Sequence, residues 1–91
     1  MAKVIVTLDV MPASPEVNLD AIQKEVEKMI TDFGGNIHHV DVEPVAFGLK
    51  LIKLVFYMDE SKGSTDPLES NVMRIKGVSS VKISEVRRAV G

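Results

Sequence analysis

Ninety-one residues, 45% of them apolar, suffice for one core and predict a single domain over residues 1–91. No cysteine is present, which excludes disulfides and thiolate metal centres and fits a reducing cytoplasm. The net charge of -2, from 11 basic and 13 acidic residues, excludes a general electrostatic pull toward nucleic acid, and the N-terminus carries no apolar run expected of a signal peptide or membrane span.

In chain order, Lys3 to Val10 alternates, with Val4, Val6, Leu8 and Val10 on one face and Ile5, Thr7 and Asp9 on the other. This is the pattern of a half-buried strand, stopped by Pro12 and Pro15. Asn18 is a good N-cap for a helix whose apolar stripe is Leu19, Ile22, Val26, Met29, Ile30 and Phe33, and Gly34-Gly35 ends it. Asn36 to Glu43 reads as a second strand, with Val40 and Val42 toward the core and His39 and Asp41 away from it.

Glu43-Pro44-Val45-Ala46-Phe47-Gly48-Leu49-Lys50 follows. Pro44 cannot donate to a ladder and Gly48 admits backbone angles closed to other residues, so a turn is expected with Phe47 at its apex. In a chain with three Phe and one Tyr, an aromatic placed there is either a docking anchor or a lid folded back over the sheet edge. The residues alone favour the lid, because most aromatics are packing residues.

Gly48 to Asp59 predicts a third strand with Ile52, Leu54, Phe56 and Met58 buried. After a polar loop, Asp66 as N-cap, Pro67 at the first helical position and Glu69 at the third predict a second helix, with Leu68, Val72 and Ile75 inward and Gly77 closing it. Val78 to Arg88 completes the pattern around Val81 and Ile83. Val86 falls on the opposite parity, which predicts a bulge or fraying near Ser84. Two strand-helix-strand units fold most simply as a ferredoxin-like α+β sandwich, a four-stranded antiparallel sheet with both helices on one face. Its open face would carry Ile5, Thr7, Asp9, His39, Asp41, Leu51 and Lys53.

Motifs for chemistry are sparse. Gly34-Gly35 belongs to neither phosphate-binding glycine pattern. His38-His39 would point to opposite faces of a strand and so could not share a metal, while His39 with Asp9 or Asp41 is the one arrangement that could hold a metal or move a proton. That leaves a small metal-binding protein or enzyme of this fold as the principal alternative function, with a ligand-sensing sheet that dimerises as a third, since the open face is not strongly charged. Ser79-Ser80 has no base placed for it, and the acidic pairs Asp59-Glu60 and Asp66-Glu69 are explained by loop and cap. An RNA-recognition reading lacks its stacking platform, since the central strands offer Ile5, Thr7, Leu51, Lys53 and Val55 with Tyr57 alone as an aromatic.

Ile5-Val6-Thr7-Leu8-Asp9-Val10-Met11-Pro12 together with the Glu43–Lys50 segment resembles the translation elongation factor 1-beta family, and the short chain ending Val86-Arg87-Arg88 is similar to its archaeal branch. The likeness covers essentially the whole chain, with Pro-Val-Ala-Phe-Gly its most specific part. It implies a ferredoxin-like, cytoplasmic guanine nucleotide exchange factor that promotes GDP release from the GTPase elongation factor 1-alpha, supporting aminoacyl-tRNA delivery. It further implies no bond chemistry, no cofactor, no intrinsic GTPase activity and no direct contact with nucleic acid or membrane. Eukaryotic relatives carry additional N-terminal regions, and this chain resembles only the exchange domain.

The resemblance also assigns the aromatic of the turn, Phe47, to a pocket on the GTPase, which turns the preference from lid to anchor. With it go Gly48 and Lys50. A lysine near the C-terminus of the eukaryotic members disturbs the partner's magnesium and phosphate site. Here the chain has no lysine after Lys82, and the resemblance leaves Arg87 or Arg88 to supply the charge, against the reading of a solvated basic strand end.

Overall fold

The computed structural model describes residues 3–89; Met1 and Ala2 lie outside them, as do Val90 and Gly91, with which the sequence ends. Strict alternation makes β1 (Lys3–Pro12), whose Val6, Leu8 and Val10 are buried. The strand runs two residues past the expected stop. Pairing with the third strand ends at Val10, so Pro12 closes β1 at a register shift against the fourth strand, where its missing N–H is tolerated.

Helix α1 (Leu19–Phe33) begins where the Asn18 side chain accepts a hydrogen bond from the Ala21 N–H at 3.2 Å. It ends at Gly34, whose φ of 104° is a left-handed cap, with the Gly35 N–H donating back to the Ile30 carbonyl at 2.9 Å. Gly35 itself is required by contact. A Cβ there would lie 2.8 Å from Ile30 Cγ2 and 2.9 Å from Phe56 Cδ2.

Strand β2 (Asn36–Pro44), a one-turn 3-10 segment (Ala46–Gly48), and β3 (Lys50–Asp59) form a hairpin. On β3, Ile52, Leu54, Phe56 and Met58 are all buried, as the alternation requires. Val42 keeps the expected face, across from Ile52, yet is 45% exposed because an edge strand's end has little to cover it. His38 is the extra residue of a bulge between Ile37 and His39. The bulge interrupts alternation and brings the His38 and His39 rings to 4.9 Å in an edge-on contact, correcting the expectation that they diverge.

Helix α2 (Asp66–Met73) starts one residue earlier than expected. Thr65 is the N-cap, and its hydroxyl donates to Glu69 Oε1 at 3.4 Å, while Ser64 Oγ accepts from the Asp66 N–H at 3.0 Å. Its end is also earlier, at Arg74, and Gly77 serves the turn into β4 (Val78–Ala89) instead. The bulge expected near Ser84 is present, since Thr7 pairs with Glu85 and Leu8 with Ile83, leaving Ser84 unpaired in the register.

The strands order as β2-β3-β1-β4, all neighbours antiparallel, which with the element sequence is the ferredoxin-like α+β arrangement. Both helices cover the face carrying Val6, Leu8, Ile52, Leu54 and Phe56, and Ile22, Val26, Ile30, Leu68 and Val72 complete the core. No helix among the described residues is long and apolar enough to cross a membrane.

Candidate functional site

The β2–β3 connection is closed by the Val45 N–H donating to the Leu49 carbonyl at 2.9 Å and the Leu49 N–H to that of Ala46 at 3.3 Å. Between these bonds Phe47 has φ 64° and ψ 28°, the sole non-glycine residue with positive φ among the described residues. Gly48 follows at φ 75°. Left-handed backbone at a residue with a Cβ costs about 1–2 kcal/mol and persists only where the surroundings impose it. The ring that results is 92% exposed. Phe47 is therefore no lid over the sheet, and the turn holds it in solvent. Lys50 starts β3 opposite Pro44 and is also exposed. Beside this turn, Pro12, Ser14, Pro15, Leu19, Gly48 and Lys50 line a shallow cleft of about 100 Å³.

Arg87 and Arg88 occupy the other end of the molecule. Arg88 pairs with Val4, which pairs with Met58, eight residues along β3 from Lys50. At the antiparallel rise this is about 27 Å, before the turn itself is added. The molecule extends 42 × 21 × 17 Å, so the two groups mark opposite ends of its long axis. The arginines are themselves divided. Arg87, across from Ile5, lies on the open face with its Nε 3.5 Å from Glu85 Oε1. Arg88 takes the helix side and is paired with the Glu60 carboxylate. Glu60, in the turn after β3, had no signal in the sequence beyond its loop; only the alignment of β3 and β4 around β1 brings it to a residue 28 positions away.

On the open face, His39 Nε2 is 3.3 Å from Asp41 Oδ2, with both side chains about half exposed or more. Asp9 is on β1, separated from β2 by the whole width of β3, and its Oδ1 instead accepts from Ser84 Oγ at 3.3 Å. No three His, Cys, Asp or Glu side chains among the described residues converge as a metal site would require. A cleft of about 340 Å³ between the helices, lined by Met29, Phe33, Pro67 and Arg74 among others, includes none of these side chains.

A sequence model of the EF-1 guanine nucleotide exchange domain matches residues 5–89. The chain belongs to that family. Among its relatives, elongation factor 1-beta of Methanothermobacter thermautotrophicus is 38% identical over 88 residues, covering 97% of this chain and 98% of that protein. Elongation factor 1-beta of Staphylothermus marinus is 40% identical over 89 residues, with the same coverage of both chains, 97% and 98%. Solved structures share the fold at low identity. The ACT domain from GTP pyrophosphokinase of Chlorobium tepidum superposes with a TM-score of 0.60 at 15% identity, covering 87% of this chain and 95% of its own. The C-terminal domain of MgtC from Mycobacterium tuberculosis gives 0.61 at 11% identity, covering 98% and 88%. Membership in the EF-1 exchange family carries an exchange-factor role in translation elongation.

Proposed function

We propose that this exchange domain accelerates GDP release from the GTPase elongation factor 1-alpha, with Phe47 as its apolar anchor. The observation that carries the reading is the 92% exposed ring on a turn of positive φ. A preformed anchor loses little freedom on docking, so more of its contact energy appears as affinity. Gly48 permits the turn and Lys50 adds a charge at its base.

Exchange requires no bond to be made or broken by this chain and no cofactor. The chain must bind the nucleotide-free GTPase more tightly than the GDP-bound form, and GDP and the exchange factor then weaken each other's binding by the same factor. Phe47 and the arginines sit at opposite ends, so one partner would be engaged at two places some 30 Å apart, judged from the strand rise. One contact anchors while the other brings charge to the nucleotide site, where the magnesium ion belongs to the partner. Arg88 would exchange Glu60 for the partner's groups in doing so. The chain acts as one unit over residues 1–91, in the cytoplasm, without direct contact to nucleic acid or membrane.

The test is stopped-flow release of fluorescent GDP from preloaded elongation factor 1-alpha on adding this protein. Release faster than spontaneous, at exchange-factor concentrations below that of the GTPase, is the expected result. An unchanged release rate at saturating protein would refute the reading.

A further inference from the structure

We infer that the open face of the sheet pairs with the same face of a second copy of this chain, about a two-fold axis parallel to the strands. One row across the four strands reads Asp41, Lys53, Asp9, Lys82, since Asp41 pairs with Lys53, Lys53 with Asp9, and Asp9 with Lys82. The charges alternate from one edge of the sheet to the other. Within this row no neighbours approach to an ion pair: Asp41 turns to His39, Lys53 Nζ lies 3.9 Å from Glu43 Oε2, and Asp9 meets Ser84.

A two-fold axis along the strands reverses the strand order of the facing copy, so Asp41 meets Lys82 of the second copy and Lys53 meets its Asp9. All four charges face their opposites. An axis perpendicular to the strands would set like over like, so the charges select one symmetry, the self-complementary arrangement of an isologous dimer. The next rows agree: Val55 beside Thr7 and Tyr57 beside Ile5 are half-buried in a single copy and would meet Thr7, Val55, Ile5 and Tyr57 of the other. The face, four strands wide and about eight residues long, offers about 500 Å² per copy from the strand spacing and rise. The total of about 1,000 Å² is at the lower limit for a specific interface, which predicts a weak dimer.

Sedimentation velocity from micromolar to millimolar protein tests this. The wild type is expected to pass from monomer to dimer within that range and to return to monomer in about 1 M salt, where charges are screened. Lys53→Asp places two aspartates in opposition across the axis twice, and Asp9→Lys does so with two lysines. Each is expected to weaken self-association at least tenfold. An equimolar mixture of the two variants restores every opposite pair and should form a heterodimer at least as well as the wild type associates. If circular dichroism shows either variant unfolded, the edge pair Lys82→Asp and Asp41→Lys obeys the same complementation and replaces it. Wild type that stays monomeric to millimolar concentration, variants that associate like wild type, or a mixture no better than its components would each overturn the inference.

Discussion

Phe47→Ala separates docking from folding because the structure assigns the ring almost no part in the core. At 92% exposure its truncation removes little buried area, and both Phe and Ala pay the same left-handed backbone cost at φ 64°. The expected change in stability is therefore within about 0.5 kcal/mol, the range of surface substitutions. Loss of an aromatic hot spot costs about 2 kcal/mol of binding, or roughly 30-fold in affinity for the nucleotide-free GTPase. Fluorescent-GDP release, titrated with each protein, reads the second quantity, and thermal unfolding by circular dichroism reads the first. Phe47→Gly is the internal control: it removes the same ring but relieves the positive-φ cost, so it should be at least as stable as Phe47→Ala. A melting temperature lowered by many degrees in Phe47→Ala, with exchange unaltered, would refute the reasoning and make the ring a packing residue.

Other expectations follow from named contacts. Replacing Arg87 and Arg88 together by Ala should slow GDP release more than it weakens binding, in a magnesium-dependent way; equal rates for both proteins at every magnesium concentration would remove the pair from the mechanism. Gly35→Ala should destabilise the fold by about 1–3 kcal/mol in urea unfolding, because its Cβ would press Ile30 and Phe56 at 2.8 and 2.9 Å; an unchanged midpoint would mean that both side chains yield freely. Hydrogen bonds from Ser61, its backbone N–H first at 2.9 Å, hold the Asp59 carboxyl below its ordinary 3.8. Because the folded state holds this proton more weakly than the unfolded chain, the turn's contribution is complete above the ordinary value and is lost as pH falls through the depressed one. Carboxyl NMR titration checks it, and an Asp59 value at or above 3.8 would contradict the hydrogen bonding described.

Local rules determined most of the architecture. The alternation of β1 and β3, the Asn18 cap, the Gly34 stop and the parity break at Ser84 are consequences of neighbouring residues acting over a few positions, and each appears where the sequence puts it. The Pro44 to Gly48 turn was legible for the same reason: one residue lacks a donor and the other tolerates positive φ. Whether Phe47 folded back was undecidable locally, since a ring at a turn can rotate either way until the sheet edge and the closing hydrogen bonds are in place. The His38 bulge depends on how β2 registers against β3, and a period-two reading assumes no such insertion. The pairing of Arg88 with Glu60, the separation of Phe47 from the arginines and the charge row across the open face belong to strand order alone. Each joins residues distant in the chain: the repeated strand-helix-strand order implied the sheet, but sequence spacing does not set the register in which its strands align side chain to side chain.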